Sequence, residues 1–202
     1  MKAAQTRKFI LEKAAPLFNR RGFEGTSVAD LEAATGLTKG ALYGNFQGKE
    51  AIAEAAFTWS AAKVKTLLRE ELEGCASNKE KLSGMFDFFS RYVLDPPIPG
   101  GCPLLNAAVE ADDHRISMRP VVTAELVQVV GFIATLIRKG VRSGEFRKGT
   151  NARSLAFTFF CALEGAIMFS RVEGSVEPMT IVVRHCKEKL DQISNSLWNK
   201  NA

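Results

Sequence analysis

Apolar residues recur at helical spacing along almost the whole chain, and this periodicity is the strongest constraint on its fold. The first helix shows it clearly, with basic residues around an apolar stripe formed by Ile10, Ala14, Leu17 and Phe18. No segment alternates apolar and polar residues with the period of two that a half-buried strand requires. The pattern predicts an all-α fold, and 202 residues suffice for one domain or two small ones.

Composition places the chain among ordinary globular proteins and excludes disordered, collagenous and coiled-coil classes. Hydrophobic residues make up 46% and charged residues 24% of the sequence. The excess of 27 Lys and Arg over 22 Asp and Glu gives a net charge of +5, which suits a polyanionic partner. The longest apolar run, residues 155–169, is shorter than the roughly 20 residues that a membrane helix needs. We therefore expect a cytoplasmic protein without a membrane partner.

The residues that usually carry metal or catalytic chemistry are scattered. The four cysteines form no CxxC pair, and His114 and His185 lie far apart without a ligand pattern. No nucleophile elbow, phosphate loop or dinucleotide fingerprint is present. The sequence thus predicts no metal, no cofactor and no enzymatic activity.

Two short helices joined by a glycine turn are predicted near the N-terminus. Ser27 with Asp30 three residues later resembles a capping box at the start of the first. Gly36 marks a turn that favours a positive φ, and Thr38 is placed to cap the second helix. This arrangement indicates a helix-turn-helix, in which the second helix enters the major groove of DNA.

The second of these helices begins with small residues. Thr38, Gly40 and Ala41 surround a single long side chain, Lys39. Gly40 and Gly44 each cost a helix up to about 1 kcal/mol relative to alanine. Close approach of the helix backbone to the floor of a DNA groove is a reason to keep them.

The stretch from Thr26 to Glu50 resembles the DNA-binding signature of the tetracycline-repressor (TetR) family. The turn glycine, Gly40, Leu42-Tyr43, Phe46 and Lys49-Glu50 all fall in register with that signature. Segments 140–147 and 163–165 resemble the family's more variable second domain. The resemblance implies a helix-turn-helix DNA-binding domain over residues 1–48 and a helical ligand-binding and dimerisation domain over residues 49–202.

What the resemblance implies for function is a homodimeric transcriptional regulator, usually a repressor. A small-molecule effector is expected to release a palindromic operator, and the last two helices to form the dimer interface. The implied DNA contacts are Thr26, Ser27, Thr38, Lys39, Gly40, Ala41, Tyr43, Asn45 and Lys49. Glu32, Thr35 and Gly44-Asn45 depart from the family pattern, and these departures bear on the operator sequence.

Several residues on the later apolar helices are candidates for lining an effector pocket, because such pockets are mostly apolar with few polar groups. Packing in the core, or pairing for the buried carboxylate, accounts for each of them equally well. The candidates are Phe86, Phe89, Asn106, Glu110, Phe132, Leu136, Phe160 and Glu164.

Two other functional hypotheses share the same fold. The region from Gly101-Cys102 to Met118-Arg119 resembles a TetR subgroup in which some members sense electrophiles through this cysteine. Cys102 is therefore a candidate sensor thiol in a thiol-responsive repressor, although a small buried residue packing a loop is the simpler interpretation. A helical protein that binds a partner protein instead of DNA is the other hypothesis, and the intact set of DNA-contact residues argues against it.

Overall fold

The computed structural model describes residues 2–195, and that range contains nine α-helices and no β-strand. Short 3-10 turns cover Arg91–Val93 and Ile116–Met118. The helices are α1 (Lys2–Arg21), α2 (Val28–Thr35), α3 (Lys39–Asn45), α4 (Lys49–Glu71), α5 (Asn78–Ser90), α6 (Pro103–Asp113), α7 (Arg119–Ser143), α8 (Ala152–Glu173) and α9 (Glu177–Ile193).

The ends of the first helices lie where the sequence places them. Ser27 and Asp30 form the predicted capping box, in which each side chain accepts the other residue's backbone N–H. Gly36 ends α2 with a φ of 68° and donates its N–H to the Glu32 carbonyl. Thr38 caps α3 by accepting the N–H of Ala41 at 3.3 Å. These caps satisfy backbone groups that the helix ends leave open.

The chain divides into two compact units. The first combines residues 1–66 with residues 96–123, and the second combines residues 67–95 with residues 124–202. The functional boundary predicted between residues 48 and 49 falls inside the first unit, directly before α4. It stays a prediction.

The core of the first unit packs α1, α2, α3 and the start of α4 around one apolar cluster. Its fully buried members come from all four helices, so that each helix fixes the others. They are Ile10, Ala14, Leu31, Leu42 and Ile52.

The second unit packs α5 against α8 and α9. The ring of Phe86 meets that of Phe159 edge to face, with centroids 4.9 Å apart. Glu145 is 1% exposed and accepts three hydrogen bonds at the start of α5, including one from the N–H of Lys79 at 2.6 Å. The Glu145 carboxylate thus caps the first N–H groups of α5, beside the Ser77 hydroxyl that accepts the Glu80 N–H at 3.1 Å.

Two predicted helices end earlier than their apolar pattern. The apolar pattern of residues 78–94 predicts one helix, but α5 stops at Ser90, where a 3-10 turn begins. The pattern of residues 178–198 predicts the last helix, and α9 occupies Glu177–Ile193, with positions from 196 onward outside the described residues. After Ser90 the tighter 3-10 turn changes the hydrogen bonding. After Ile193 the backbone becomes extended at Ser194, which pairs with Phe146.

The stretch Ile116–Ser143 and helix α8 are long and apolar enough to cross a membrane by length and composition alone. Core helices of soluble proteins pass the same test.

Candidate nucleic-acid interface

The turn between α2 and α3 is braced by two residues that depart from the TetR pattern. The buried Thr35 hydroxyl donates to the Leu31 carbonyl at 2.6 Å and accepts the Leu37 N–H at 3.2 Å. The Glu32 carboxylate accepts the N–H of Lys39, the first residue of α3, at 2.6 Å. A carboxylate at a helix N-terminus stabilises it. Both departures therefore fix the position of α3 relative to α2.

A small network of charges lies at the start of α2. Arg21 approaches Asp30 at 2.8 Å, and Asp30 also accepts the Ser27 hydroxyl at 2.7 Å. The hydroxyl and the backbone N–H of Ser27, with smaller help from Arg21, lower the pKa of Asp30. The exposed Ser27 is thus already engaged by its own capping box, and its contact with phosphate stays a prediction.

The side chain of Thr26 is fully buried, and its hydroxyl donates to the Gly22 carbonyl at 2.7 Å. The hydroxyl thus closes the turn after α1, and a DNA contact by Thr26 stays a prediction. The sequence places Thr26 beside the exposed Ser27, and nothing in the spacing tells the two apart.

Helix α3 presents a face without long side chains. Gly40, Ala41 and Gly44 are all exposed. A Cβ added to Gly44 would meet nothing within 4 Å, and one added to Gly40 would meet only the Thr38 Oγ1 at 3.9 Å. The fold itself therefore does not require either glycine.

Polar side chains flank this face. Thr38 and Lys39 are exposed at the N-terminus of α3, and the Lys39 Nζ lies 5.6 Å from the Tyr43 ring centroid. The Tyr43 ring is half-buried and packs against the core cluster of the first unit. The Asn45 amide donates to the Ala41 carbonyl at 2.9 Å. These residues surround the open face of α3, and their contacts with DNA stay predictions.

Arg7 supports α3 from the other side, a role that sequence reasoning missed. Its guanidinium lies 4.0 Å from the Phe46 ring centroid and donates to the Asn45 carbonyl at the end of α3. In the sequence Arg7 is one of several basic residues on the polar faces of α1. Only the packing of α1 on α3 distinguishes it from them.

Lys49 begins α4 and is half-buried. Its Nζ lies 4.0 Å from the Phe23 ring centroid. The ammonium group is therefore held beside the N-terminus of α4, where unpaired backbone N–H groups also favour an anion.

The predicted effector-pocket residues divide between the two units. Asn106 and Glu110 belong to the first unit and line a half-open cavity of about 390 Å³, together with Asn19, Phe57, Ser60 and Arg115. The remaining candidates belong to the second unit, where Phe132 is 41% exposed and the others are buried: Phe86, Phe89, Leu136, Phe160 and Glu164. The structure thus buries five of these candidates and exposes part of Phe132, and their role in an effector pocket stays a prediction.

The thiols differ in accessibility. Cys102 is the N-cap residue of α6 and is 4% exposed. Burial raises the pKa of Cys186 to about 11, and Cys161 is exposed on α8. The candidate sensor thiol is thus covered in this conformation.

A capped, exposed short helix joined to another by a glycine turn defines a helix-turn-helix, and the class of protein is a DNA-binding regulator. Residues 10–56 match the family model described as bacterial regulatory proteins, tetR family. Residues 79–186 match the model for the tetracyclin repressor-like C-terminal domain. The chain belongs to the TetR family.

Individual relatives agree with this assignment. A solved TetR-family regulator from Cytophaga hutchinsonii is 36% identical with a TM-score of 0.89, covering 96% of this chain and 97% of its own. The transcriptional repressor DhaR of a Mycobacterium species is 24% identical, over 96% of this chain and 99% of its own length. The TetR-family regulator CifR, solved as a cysteine mutant with operator DNA, has a TM-score of 0.79 at 23% identity, covering 90% of this chain and 94% of its own.

Membership of the TetR family confirms the predicted class of protein. TetR-family proteins are soluble transcriptional regulators, not enzymes, and they bind operator DNA and function as dimers. The predicted all-α fold with a helix-turn-helix is confirmed.

Proposed function

We propose that this chain is a cytoplasmic homodimeric repressor that binds a palindromic operator through α3 and is released by a small molecule. The observation that carries the DNA-binding part is the exposed face of α3, where Gly40 and Gly44 have no role in the fold. A helix that lies in the major groove gains from such a face, because its backbone can approach the base edges.

The side chains proposed to contact DNA are those that the structure leaves at or beside this face. Thr38, Lys39 and Asn45 flank the α3 backbone, and Tyr43 and Lys49 supply a hydroxyl and an ammonium group for phosphates. Ser27 remains a proposed phosphate contact, whereas the Thr26 side chain is not part of the proposal.

The test of DNA binding is selection of bound duplexes from a random pool at a stated salt concentration, because affinity for DNA depends on salt. We expect one inverted repeat to emerge. Tyr43→Ala and Lys49→Ala should weaken binding to that repeat without unfolding the protein. Wild-type affinity in both variants would show that the site is assigned wrongly.

The proposed dimer interface lies on helices α8 and α9. A row of large apolar side chains on these two helices is exposed in the single chain: Phe157, Met168, Phe169, Val172 and Ile181. Contiguous exposed apolar surface usually marks an interface. Regulators of this family function as dimers, so the proposed partner for this surface is a second copy of the chain.

Phe169→Asp tests the interface, because it places a charge in the proposed apolar contact. Sedimentation velocity should show the variant as a monomer and the wild type as a dimer. Arg142→Asp, which changes an exposed residue of α7, is the matched control and should stay dimeric. A dimeric Phe169→Asp variant would exclude this face as the interface.

Release by an effector is supported by the cavity that Asn106 and Glu110 line. Its volume of about 390 Å³ lies within the range of roughly 300–1,000 Å³ that is typical of ligand sites. A thermal-shift screen of small molecules, followed by DNA-release assays on each hit, tests this part. Hits that raise Tm equally in the wild type and in Asn106→Leu would place the effector elsewhere.

A further inference from the structure

Three charged groups from different segments of the first unit contact Phe23. Its backbone N–H donates to the Glu110 carboxylate of α6 at 2.8 Å. Its ring centroid lies 4.0 Å from the Arg115 guanidinium and 4.0 Å from the Lys49 ammonium. A cation close to an aromatic face is attracted to it electrostatically, and more strongly where water is excluded. Phe23 is 9% exposed, so both contacts are sheltered.

The approach of Glu110 to this site depends on Gly22. Gly22 has a φ of 71°, and a Cβ added there would lie 2.1 Å from the Glu110 Oε1. A side chain there would force the Glu110 carboxylate to move, and the positive φ itself favours glycine. Glycine at the end of α1 therefore suits both the backbone turn and the contact with the Glu110 carboxylate.

Carboxylates lie near the cations that contact the Phe23 ring. Burial lowers the pKa of Arg115, while the nearby carboxylates of Glu110 and Glu50 oppose that shift. Two cations on one ring repel each other, and carboxylates beside Arg115 reduce that repulsion. Arg115 can thus remain on the ring beside Lys49.

A second set of contacts holds α6 against α1. The Asn106 amide donates to the backbone carbonyl and to the side-chain oxygen of Asn19, both at 2.9 Å. The Asn19 amide in turn donates to the Gly101 carbonyl at 3.1 Å. The helix that carries Glu110 is therefore fixed relative to the turn that carries Phe23.

We propose that Phe23 is a positioning residue for operator binding: fixed by Glu110 and Arg115, its ring holds the Lys49 ammonium where it can meet a DNA phosphate. Lys49 touches the DNA, and Phe23 acts only through it. This inference rests on the proposed function, since it requires Lys49 to contact a phosphate.

The salt dependence of DNA binding distinguishes positioning from general loss of structure. The logarithm of the binding constant falls with the logarithm of salt concentration, with a slope of about −0.9 for each phosphate neutralised. Loss of one contact per protomer should reduce the slope of a dimer by about 1.8. A variant that merely loosens the fold lowers affinity at every salt concentration and leaves the slope unchanged.

The experiment measures binding of the full chain to a fluorescent duplex that the wild type selected from a random pool, over a series of KCl concentrations. Phe23→Leu removes the ring and should reduce the slope as much as Lys49→Ala does. The double variant should show no further reduction, and Phe23→Tyr, which keeps the ring, should restore the wild-type slope. Phe9→Leu removes the exposed ring near Lys13 and is the matched control with an unchanged slope.

The outcomes separate the two levels of the proposal. A wild-type slope in Lys49→Ala overturns both the phosphate contact and the role of Phe23. A reduced slope in Lys49→Ala with a wild-type slope in Phe23→Leu overturns only the positioning role. Circular dichroism checks folding, and if Phe23→Leu does not fold, Glu110→Gln and Arg115→Gln replace it. Each should then reduce the slope partially, and wild-type slopes in both would refute the proposal.

Discussion

Replacing Gly44 by alanine should stabilise the free protein and weaken its binding to DNA. Gly44 lies in α3, and an added Cβ meets nothing within 4 Å. Alanine is favoured over glycine in a helix by about 0.5–1 kcal/mol, partly because it restricts the unfolded chain. For a chain of this size that gain raises Tm by roughly 1–4 °C.

The loss on the DNA side follows from the same geometry. If the α3 backbone lies against the groove, the new methyl group enters a packed contact, and overpacking costs about 1–3 kcal/mol. A symmetric dimer incurs this cost twice, so even the lower value weakens binding by about 2 kcal/mol, or roughly 30-fold in Kd. Calorimetry and fluorescence anisotropy with the selected duplex measure the two effects on one preparation.

Gly131→Ala is the matched control, since Gly131 lies in α7 and its added Cβ also meets nothing within 4 Å. It should raise Tm similarly and leave Kd unchanged. A Gly44→Ala variant that is more stable and binds DNA with wild-type affinity would refute the reasoning, because the glycine would then have no role at the groove.

Two further predictions concern the second unit. Glu145→Ala should lower the free energy of unfolding by about 1–3 kcal/mol, since it removes a buried acceptor from the half-buried donors of Asn78 and Lys79. Chemical denaturation at a fixed protomer concentration measures this free energy. Glu80→Ala removes one exposed hydrogen bond from the Ala76 N–H and should cost less than about 1 kcal/mol. Equal costs in the two variants would contradict the capping role of Glu145. Cys161 lies four residues after Phe157 on α8, so both side chains lie on the same face of the helix. A dimer that covers this face would also cover the Cys161 thiol. A thiol reagent at pH 8 should therefore modify Cys161 faster in the monomeric Phe169→Asp variant than in the dimer. Cys186 should react in neither, because burial raises its pKa to about 11, and equal rates for Cys161 in both proteins would argue against the interface.

The local structure of the helix-turn-helix was predictable because its signals are local. Ser27 and Asp30 lie within one helical turn of each other, and Gly36 and Thr38 act on the adjacent backbone. Such residues determine the ends of α2 and α3 whatever the rest of the chain does. The same reasoning could not separate Thr26 from Ser27, because only the fold of the preceding turn buries one hydroxyl and exposes the other.

The contacts that position the site join residues of different helices, and no periodicity reveals them. Glu32 departs from the TetR pattern, but the sequence does not show that its carboxylate accepts the N–H of Lys39 across the turn. The sequence does not distinguish Arg7 from the other basic residues of α1, and only the fold shows that its guanidinium lies over the Phe46 ring. A polar residue on an apolar helix is predictable, but its partner is not.

Asn106 and Glu110 are polar residues on an apolar helix, and the sequence predicts them as pocket residues together with aromatic residues of the later helices. That assignment stays a prediction. The structure engages both within the first unit, Asn106 with Asn19 and Glu110 with the N–H of Phe23. The cavity that they line is therefore bounded by contacts that hold the end of α1 and, through Phe23, the ammonium group of Lys49. A molecule that competed for the Glu110 carboxylate in this cavity would therefore disturb the contact that holds Phe23, and with it the ammonium group that we propose meets a DNA phosphate.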